Sequence, residues 1–249
     1  MDISTKKLIV LDLQGTLTPS MSAISPEMSA CIIKLLSKKK VAIISGSTFA
    51  QFHTQILNVL SPTEEYLSSL ALLPTSGTRM YLWRGSWIER YAEHISPANK
   101  ERIMTAIDKA LRMSQYKKPT QVYGQLIEDR GSQITFHGLG SNAPLEAKSI
   151  WDPRRDIRNR IATIIQETIP EFDVRIAGMS SIDITTRGVN KAFGIRKLEE
   201  VFKVTGDDIV FVGDSLFHGG NDYPIRATGV DCISVHSPEE TLKLLKSWV

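Results

Sequence analysis

The sequence predicts an α/β protein in which a parallel-sheet core is interrupted by an inserted α+β segment. Three observations carry this expectation. Short apolar runs, each ending in a polar turn and leading into an amphipathic stretch, recur near the start and again near the end of the 249 residues. Between them the rhythm changes to hairpins and longer helices. Alternating strand and helix implies a parallel sheet with helices on its faces, whereas hairpins flanked by helices describe a separate α+β unit.

Leu8 to Leu11 reads as a buried strand closing in Asp12. Ser25-Pro26-Glu27 supplies an N-cap, a proline at the first helical position and an acid in the first turn. Cys31, Ile32, Leu35 and Leu36 form the apolar stripe of that helix, and Lys38-Lys39-Lys40 is its solvated C-terminal end. Val41 to Ile44 is a second strand, ending in Ser45-Gly46-Ser47, and Phe49 to Leu60 the next helix. Met80 to Trp83 and Ser86 to Ile88 flank Arg84-Gly85 as a hairpin. Its aromatics are expected to pack in the core, with a homodimer interface as the alternative use.

A helix follows from Ser96-Pro97 to Met113. Gln125 to Glu128 and Gln133 to Phe136 pair as strands across the turn Asp129-Arg130-Gly131. Asp152-Pro153 is expected to open a helix with Ile157, Ile161, Ile164 and Ile165 on one face, and Arg154, Arg155 and Arg158 solvated. Two short strands, Asp173 to Ala177 and Ser181 to Thr185, complete the insert. The core rhythm resumes with a helix from Lys191 to Phe202 and a strand from Ile209 to Val212 that ends in Gly213-Asp214. A strand from Cys232 to Val235 and a capped helix at Ser237-Pro238 follow. The core is thus expected over 1–84 and 186–249, and the insert over 85–185.

Hydrophobic content of 42% and charged content of 23% are those of an ordinary globular enzyme. A net charge of +3 is too small to make nucleic acid a main partner. The two cysteines, Cys31 and Cys232, match no metal-site spacing and fit a reduced, cytoplasmic setting. No apolar run approaches the roughly 18 residues that suggest a membrane span.

Four polar clusters fall at strand ends or at the start of a core helix. They are Asp12 with the turn Leu13-Gln14-Gly15-Thr16-Leu17-Thr18, Ser45-Gly46-Ser47, Lys191, and Asp214 with Gly219-Gly220-Asn221-Asp222. Open parallel sheets bind ligands beyond the carboxyl ends of their strands, so all four are expected in one crevice. Asp12 and Asp214 offer hard carboxylate oxygens to Mg²⁺. Ser45 and nearby backbone N–H groups suit phosphate oxygens, and Lys191 supplies a point charge. Asp12 is then placed to attack phosphorus as a nucleophile.

In these motifs the chain resembles the haloacid dehalogenase superfamily, in the subclass with a large cap inserted after the second motif. Within it, the chain is most similar to the eukaryotic-type phosphomannomutases. The resemblance implies a Rossmann-like core with an α+β cap, and Mg²⁺ held by Asp12, the Gln14 main chain and Asp214. It implies a hexose phosphate substrate, such as mannose 1- or 6-phosphate, converted through an aspartyl-phosphate. Ile127-Glu128-Asp129-Arg130 looks like the stretch with a substrate-phosphate arginine, and Ser181-Ile182-Asp183 like the pair contacting the sugar. Ser45, Gly46, Ser47, Lys148 and Asn221 complete the expected substrate set.

The chain departs from that pattern in three places. Gln14 stands where the family carries a second aspartate as general acid and base, and an amide serves neither role. Met21 and Ser141 replace arginines, and Lys148 keeps charge without the bidentate fork. The loop Tyr223 to Ala227 is short and lacks the family's second cation-binding stretch. A mutase impaired by Gln14 is the leading expectation. A sugar-phosphate phosphatase and a non-catalytic sugar-phosphate binding protein are the alternatives.

Overall fold

The computed structural model describes residues 3–60 and 63–249. In chain order its strands are β1 (Leu8–Asp12), β2 (Lys40–Ile44), β3 (Leu70–Leu73), β4 (Arg79–Trp83) and β5 (Trp87–Ala92). Then come β6 (Ile127–Asp129), β7 (Ile134–His137), β8 (Phe172–Ala177), β9 (Ser181–Thr186), β10 (Ile209–Gly213) and β11 (Asp231–Ser234). Seven of them form one sheet in the order β11-β10-β1-β2-β3-β4-β5. From β11 to β3 the pairing is parallel, and β4 and β5 add an antiparallel edge.

β1 sits near the middle and is buried on both faces, which explains its unbroken apolar run. Ile9 and Leu11 pack on one side with the helices Pro26–Leu36 and Pro238–Lys246. Leu8 and Val10 pack on the other with Ile195 and Leu198 of the helix Lys191–Phe202. Because β1, β2 and β10 run parallel, Asp12, Ser45 and Asp214 emerge at the same sheet edge.

The second sheet is antiparallel, in the order β6-β7-β9-β8. It has its own apolar core with the helices Pro97–Met113 and Asp156–Thr168, built on Ile107, Phe136, Ile161, Ile165 and Ile182. This is the inserted α+β unit.

The structure differs from expectation at several points. The strand β5 pairs with β4 as part of the large sheet, so that sheet continues past the expected boundary near 85 as far as Ala92. The strand β3 went unrecognised because Leu70-Ala71-Leu72-Leu73 holds no β-branched or aromatic residue to tell a strand from a helical segment. Asp152-Pro153 does not begin a helix. A short helix, Leu145–Trp151, precedes it, and Arg155 turns the chain at a φ of 66° before the next helix starts at Asp156. The Asp152 carboxylate still acts as a cap, accepting from the Ile157 and Arg158 backbone N–H groups. Arg158 is buried rather than solvated and is ion-paired to Asp152 at 3.0 Å. Arg155 crosses to the core and lies 3.6 Å from the Phe217 ring centroid, and Arg154 alone of the three is exposed. The hairpin aromatics pack inward, with Tyr81 stacked on Phe49 at 4.0 Å between centroids.

Candidate active site

Four charged groups meet at the carboxyl edge of the large sheet. Lys191 Nζ, with no solvent exposure, lies 2.6 Å from Asp12 Oδ1 and 2.6 Å from Asp222 Oδ1. Asp12, Asp214 and Asp222 offer oxygens that all lie within 4.8 Å of one another. Asn190 starts the lysine's helix, accepting from Ala192 N and Phe193 N, and so delivers Lys191 in the first turn. Asp222 Oδ2 accepts from Ser215 N at 2.9 Å, and Ser215 Oγ donates to Asp214 Oδ1 at 3.0 Å.

Burial pushes the Asp12 carboxyl up, and Lys191 pulls against it. Burial, with Asp12 and Asp222 adding repulsion, raises Asp214 well above the usual carboxylate range. Burial opposes the Lys191 charge too, but Asp12 and Asp222 outweigh it and hold the ammonium above the ordinary lysine value. Three carboxylates against one ammonium leave a surplus of negative charge among hard oxygens. That donor set fits a divalent cation such as Mg²⁺. The backbone is shaped for it: Gly15 has a φ of 85°, and a Cβ there would sit 2.5 Å from Asp214 Oδ2.

Gln14 is held on every side. Its Nε2 donates to Gln55 Oε1 at 2.5 Å and to Ser47 Oγ at 3.3 Å, and its Oε1 accepts from Met21 N at 2.7 Å. Gln55 lies in a π-helical turn, His53–Leu57, where its carbonyl also accepts from Ile24 N. Such turns re-aim side chains, often at functional sites. Ser45 Oγ donates to Ser47 Oγ at 3.2 Å, and the Gly46 carbonyl accepts from Arg130 and from Gln133 Nε2. A Cβ at Gly46 would sit 2.5 Å from Asp183 Oδ2, so only glycine lets the insert approach this closely.

The insert closes the opposite wall of a cleft over these groups. Every expected site residue lines it except Lys191, which lies beneath Asp12. Arg130 pairs with Glu128 at 2.6 Å, and Lys148 reaches Ser20 Oγ at 3.4 Å. Asp183 accepts from Thr135 Oγ1 at 2.9 Å and from Ser76 Oγ at 3.3 Å. Ser76 and its neighbour Thr75 sit at φ of 59° and 51°, a strained turn that meets the insert. Gly219 and Asn221 pair through backbone bonds with Ile176 of β8.

The structure adds residues that sequence reasoning missed. Asp222, the last residue of the Gly-Gly-Asn-Asp stretch, is the second partner of Lys191 and was not singled out from it. Gln55 carries no motif. Thr135 and His137 lie two apart on β7, as Ser181 and Asp183 do on β9, and that shared period of two was the available signal.

The mixed α/β sheet and its arrangement match the haloacid dehalogenase-like fold of solved structures. Two of these are similar over nearly the whole chain. The IMP-bound, N-terminally truncated IMP-nucleotidase of Plasmodium falciparum is 17% identical, with a TM-score of 0.75 over 98% of this chain and 68% of that one. A haloacid dehalogenase-like hydrolase from Bacteroides thetaiotaomicron is 14% identical, with a TM-score of 0.60 over 98% and 100%. The chain belongs to the eukaryotic phosphomannomutase family, whose model matches residues 28–249. Among its relatives, a probable phosphomannomutase of Caenorhabditis elegans is 28% identical, covering 96% of this chain and 94% of its own length. The phosphomannomutase of Saccharomyces cerevisiae is also 28% identical, over 96% and 92%.

Proposed function

We propose that the chain is a cytoplasmic, Mg²⁺-dependent enzyme that moves a phosphoryl group on a hexose phosphate through Asp12, at a rate held down by Gln14. The observation that carries this reading is the buried Asp12–Lys191–Asp222 array beside Asp214, at the floor of a cleft closed by the insert.

Asp12, Asp214 and the Gln14 main chain would hold the cation. When bound, it neutralises phosphoryl charge and lowers the barrier to attack. Asp12 attacks phosphorus, forming an Oδ–P bond as the bond to the sugar oxygen breaks. Lys191 keeps Asp12 ionised despite its burial and holds the oxygen it grips in place. Arg130 and Lys148, on the insert, supply positive charge for the ligand's phosphate, and Ser181 and Asp183 face its hydroxyls. The departing sugar oxygen needs a proton. Gln14 donates only a neutral amide hydrogen and cannot accept one in return, a deficit worth about 10²–10⁴ in rate.

Two measurements test this. With an acyl phosphate donor and Mg²⁺, intact mass should register one added phosphoryl group on the wild type and none on Asp12→Asn. Mannose 1-phosphate with and without a hexose 1,6-bisphosphate then separates mutase from phosphatase, because release of inorganic phosphate alone removes the mutase reading.

A second reading, a sugar-phosphate binding protein, draws on one observation, the complete hydrogen-bonding of the Gln14 amide. It predicts that an acid at position 14 brings no turnover. If neither wild type nor Gln14→Asp transfers or hydrolyses any hexose phosphate while both bind Mg²⁺, the enzyme reading fails.

A further inference from the structure

Behind Ser181, which the reading above sets against the ligand's hydroxyls, a histidine and a glutamate extend a hydrogen-bonded chain that the chemistry above does not use. His137 on β7 and Ser181 on β9 are register partners, so the sheet itself sets them side by side. His137 Nδ1 lies 3.0 Å from Ser181 Oγ, and Nε2 lies 3.0 Å from Glu128 Oε2. The same glutamate oxygen takes Arg130 Nη2 at 2.6 Å. Both His137 and Ser181 line the cleft, and His137 is only 6% exposed.

The direction of each hydrogen bond follows from the charge on Glu128. Its bond to His137 and, behind that, Arg130 hold its carboxyl down to about 2 against the opposing effect of burial. Above that value it is ionised and only accepts. His137 Nε2 therefore carries a proton in either charge state of the ring. In the neutral ring Nδ1 is then bare, and the Ser181 hydroxyl must donate to it. Ser181 is left with lone pairs alone to offer the cleft, and it accepts from a ligand hydroxyl. When the ring takes a second proton, Nδ1–H donates to Ser181. The serine hydrogen is released toward the cleft and now seeks an acceptor, such as a phosphoryl or ring oxygen.

We propose that His137 is a positioning residue that sets whether Ser181 accepts from or donates to a ligand in the cleft, so that ligand preference follows the protonation of this ring. The choice of a sugar phosphate as that ligand rests on the function proposed above. Of the charged groups near His137, Glu128 bonds to it, Arg130 bonds to the same Glu128 oxygen and Asp183 on β9 feels its charge, while Lys148, Asp12 and Asp214 line the same cleft.

Nitrogen NMR of the full chain, without ligand, reads the tautomer and charge of the ring directly over a range of about pH 5 to pH 8. The neutral ring should be protonated at Nε2, and Ser181→Ala should shift the Nδ1 resonance. A neutral ring protonated at Nδ1, or an Nδ1 signal indifferent to Ser181→Ala, overturns the proposal. Calorimetry with mannose 6-sulfate, whose charge is constant over this range, reads the consequence. Wild-type affinity should change on the order of two- to tenfold more across the range than that of His137→Gln, the net worth of one hydrogen bond, the variant keeping only the dependence that Asp12 and Asp214 impose. An equal pH dependence in wild type and His137→Gln also overturns it. If mannose 6-sulfate binds at no pH while the nitrogen shifts behave as expected, the sugar-phosphate reading falls and the coupling of His137 to Ser181 stands.

Discussion

Replacing Lys191 with methionine tests the charge arrangement at its centre. Methionine keeps most of the volume and removes the ammonium that sits 2.6 Å from Asp12 and 2.6 Å from Asp222. The three carboxyl groups, whose oxygens lie within 4.8 Å of one another, are then left with no compensating cation in EDTA. Removing one partner of a buried ion pair costs about 3–5 kcal/mol, because the remaining charge is left without compensation. For a chain of this size that is a fall in Tm on the order of 6–20 °C. The loss should be partly reversible in two independent ways. At pH 5 protonation of the raised carboxyls relieves the repulsion, and Mg²⁺ at a hundred times its Kd returns about 2.7 kcal/mol. Urea unfolding in EDTA, at pH 7.5 and pH 5, with and without Mg²⁺, measures all of this. A Lys191→Met variant within about 1 kcal/mol of wild type in EDTA at pH 7.5 would refute the claim that these carboxylates share one buried site, since the lost pair should cost several times that.

The other perturbations follow from neighbouring geometry. Gly15→Ala forces a side chain into a φ of 85° and against Asp214 Oδ2. Backbone strain alone should cost about 1–2 kcal/mol by urea unfolding, and calorimetric Mg²⁺ affinity should fall with it. Arg158→Ala strips Asp152 of its buried partner, and the unfolding free energy should drop by about 3 kcal/mol while the cleft chemistry is unaffected. Asp12 and Asp214 are both raised above the ordinary value of 3.8 by burial. Acids raised on folding stabilise the protein where the folded state holds the extra proton, and that contribution is lost as pH rises from 3.8 through neutrality. In EDTA, stability should therefore decline from pH 5 to pH 8. Mg²⁺ should offset the decline, and its affinity should climb over the same interval; a flat profile in EDTA would contradict the raised values.

Most of the strand-and-helix order was legible because it rests on local signals. Caps such as Ser25-Pro26 and Ser96-Pro97 set helix starts to the residue. Apolar runs ending in Asp12, Ser45 and Asp214 marked strands whose ends face one crevice. What could not be read was long-range or required compensation between distant side chains. Arg158 looked solvated because its burial depends on Asp152, which leaves the expected helix start and turns back to cap the real one. The hairpin's second strand lay across the expected domain border, since sequence gives no sign of which sheet an antiparallel pair joins. Gln55 became visible only once Gln14 had been placed, from 41 residues away, and Asp222, already inside a named cluster, showed its role only through Lys191, 31 residues before it.

Gln14 makes the final case, because its surroundings determine what an acid could do there. Its amide spans from Met21 N to Gln55 Oε1, with Nε2 also donating to Ser47 Oγ. Aspartate is one methylene shorter and must surrender one of these contacts. Glutamate keeps the length, and its only conflict is with the Gln55 carbonyl, which a half-turn of the Gln55 amide replaces with a donor. The Met21 backbone donor is indifferent to the exchange. In the function proposed for this cleft, Gln14→Glu should then seat a carboxyl where the amide now lies, while Gln14→Asp seats one nearer the backbone and Asp12. Single-turnover decay of the phosphorylated enzyme compares the two. A gain of about 10²-fold or more in Gln14→Glu, exceeding that in Gln14→Asp, means that reach to this network governs proton transfer. The reverse order would mean that closeness to Asp12 governs it, and that the Gln55–Met21 clamp merely accommodates the amide.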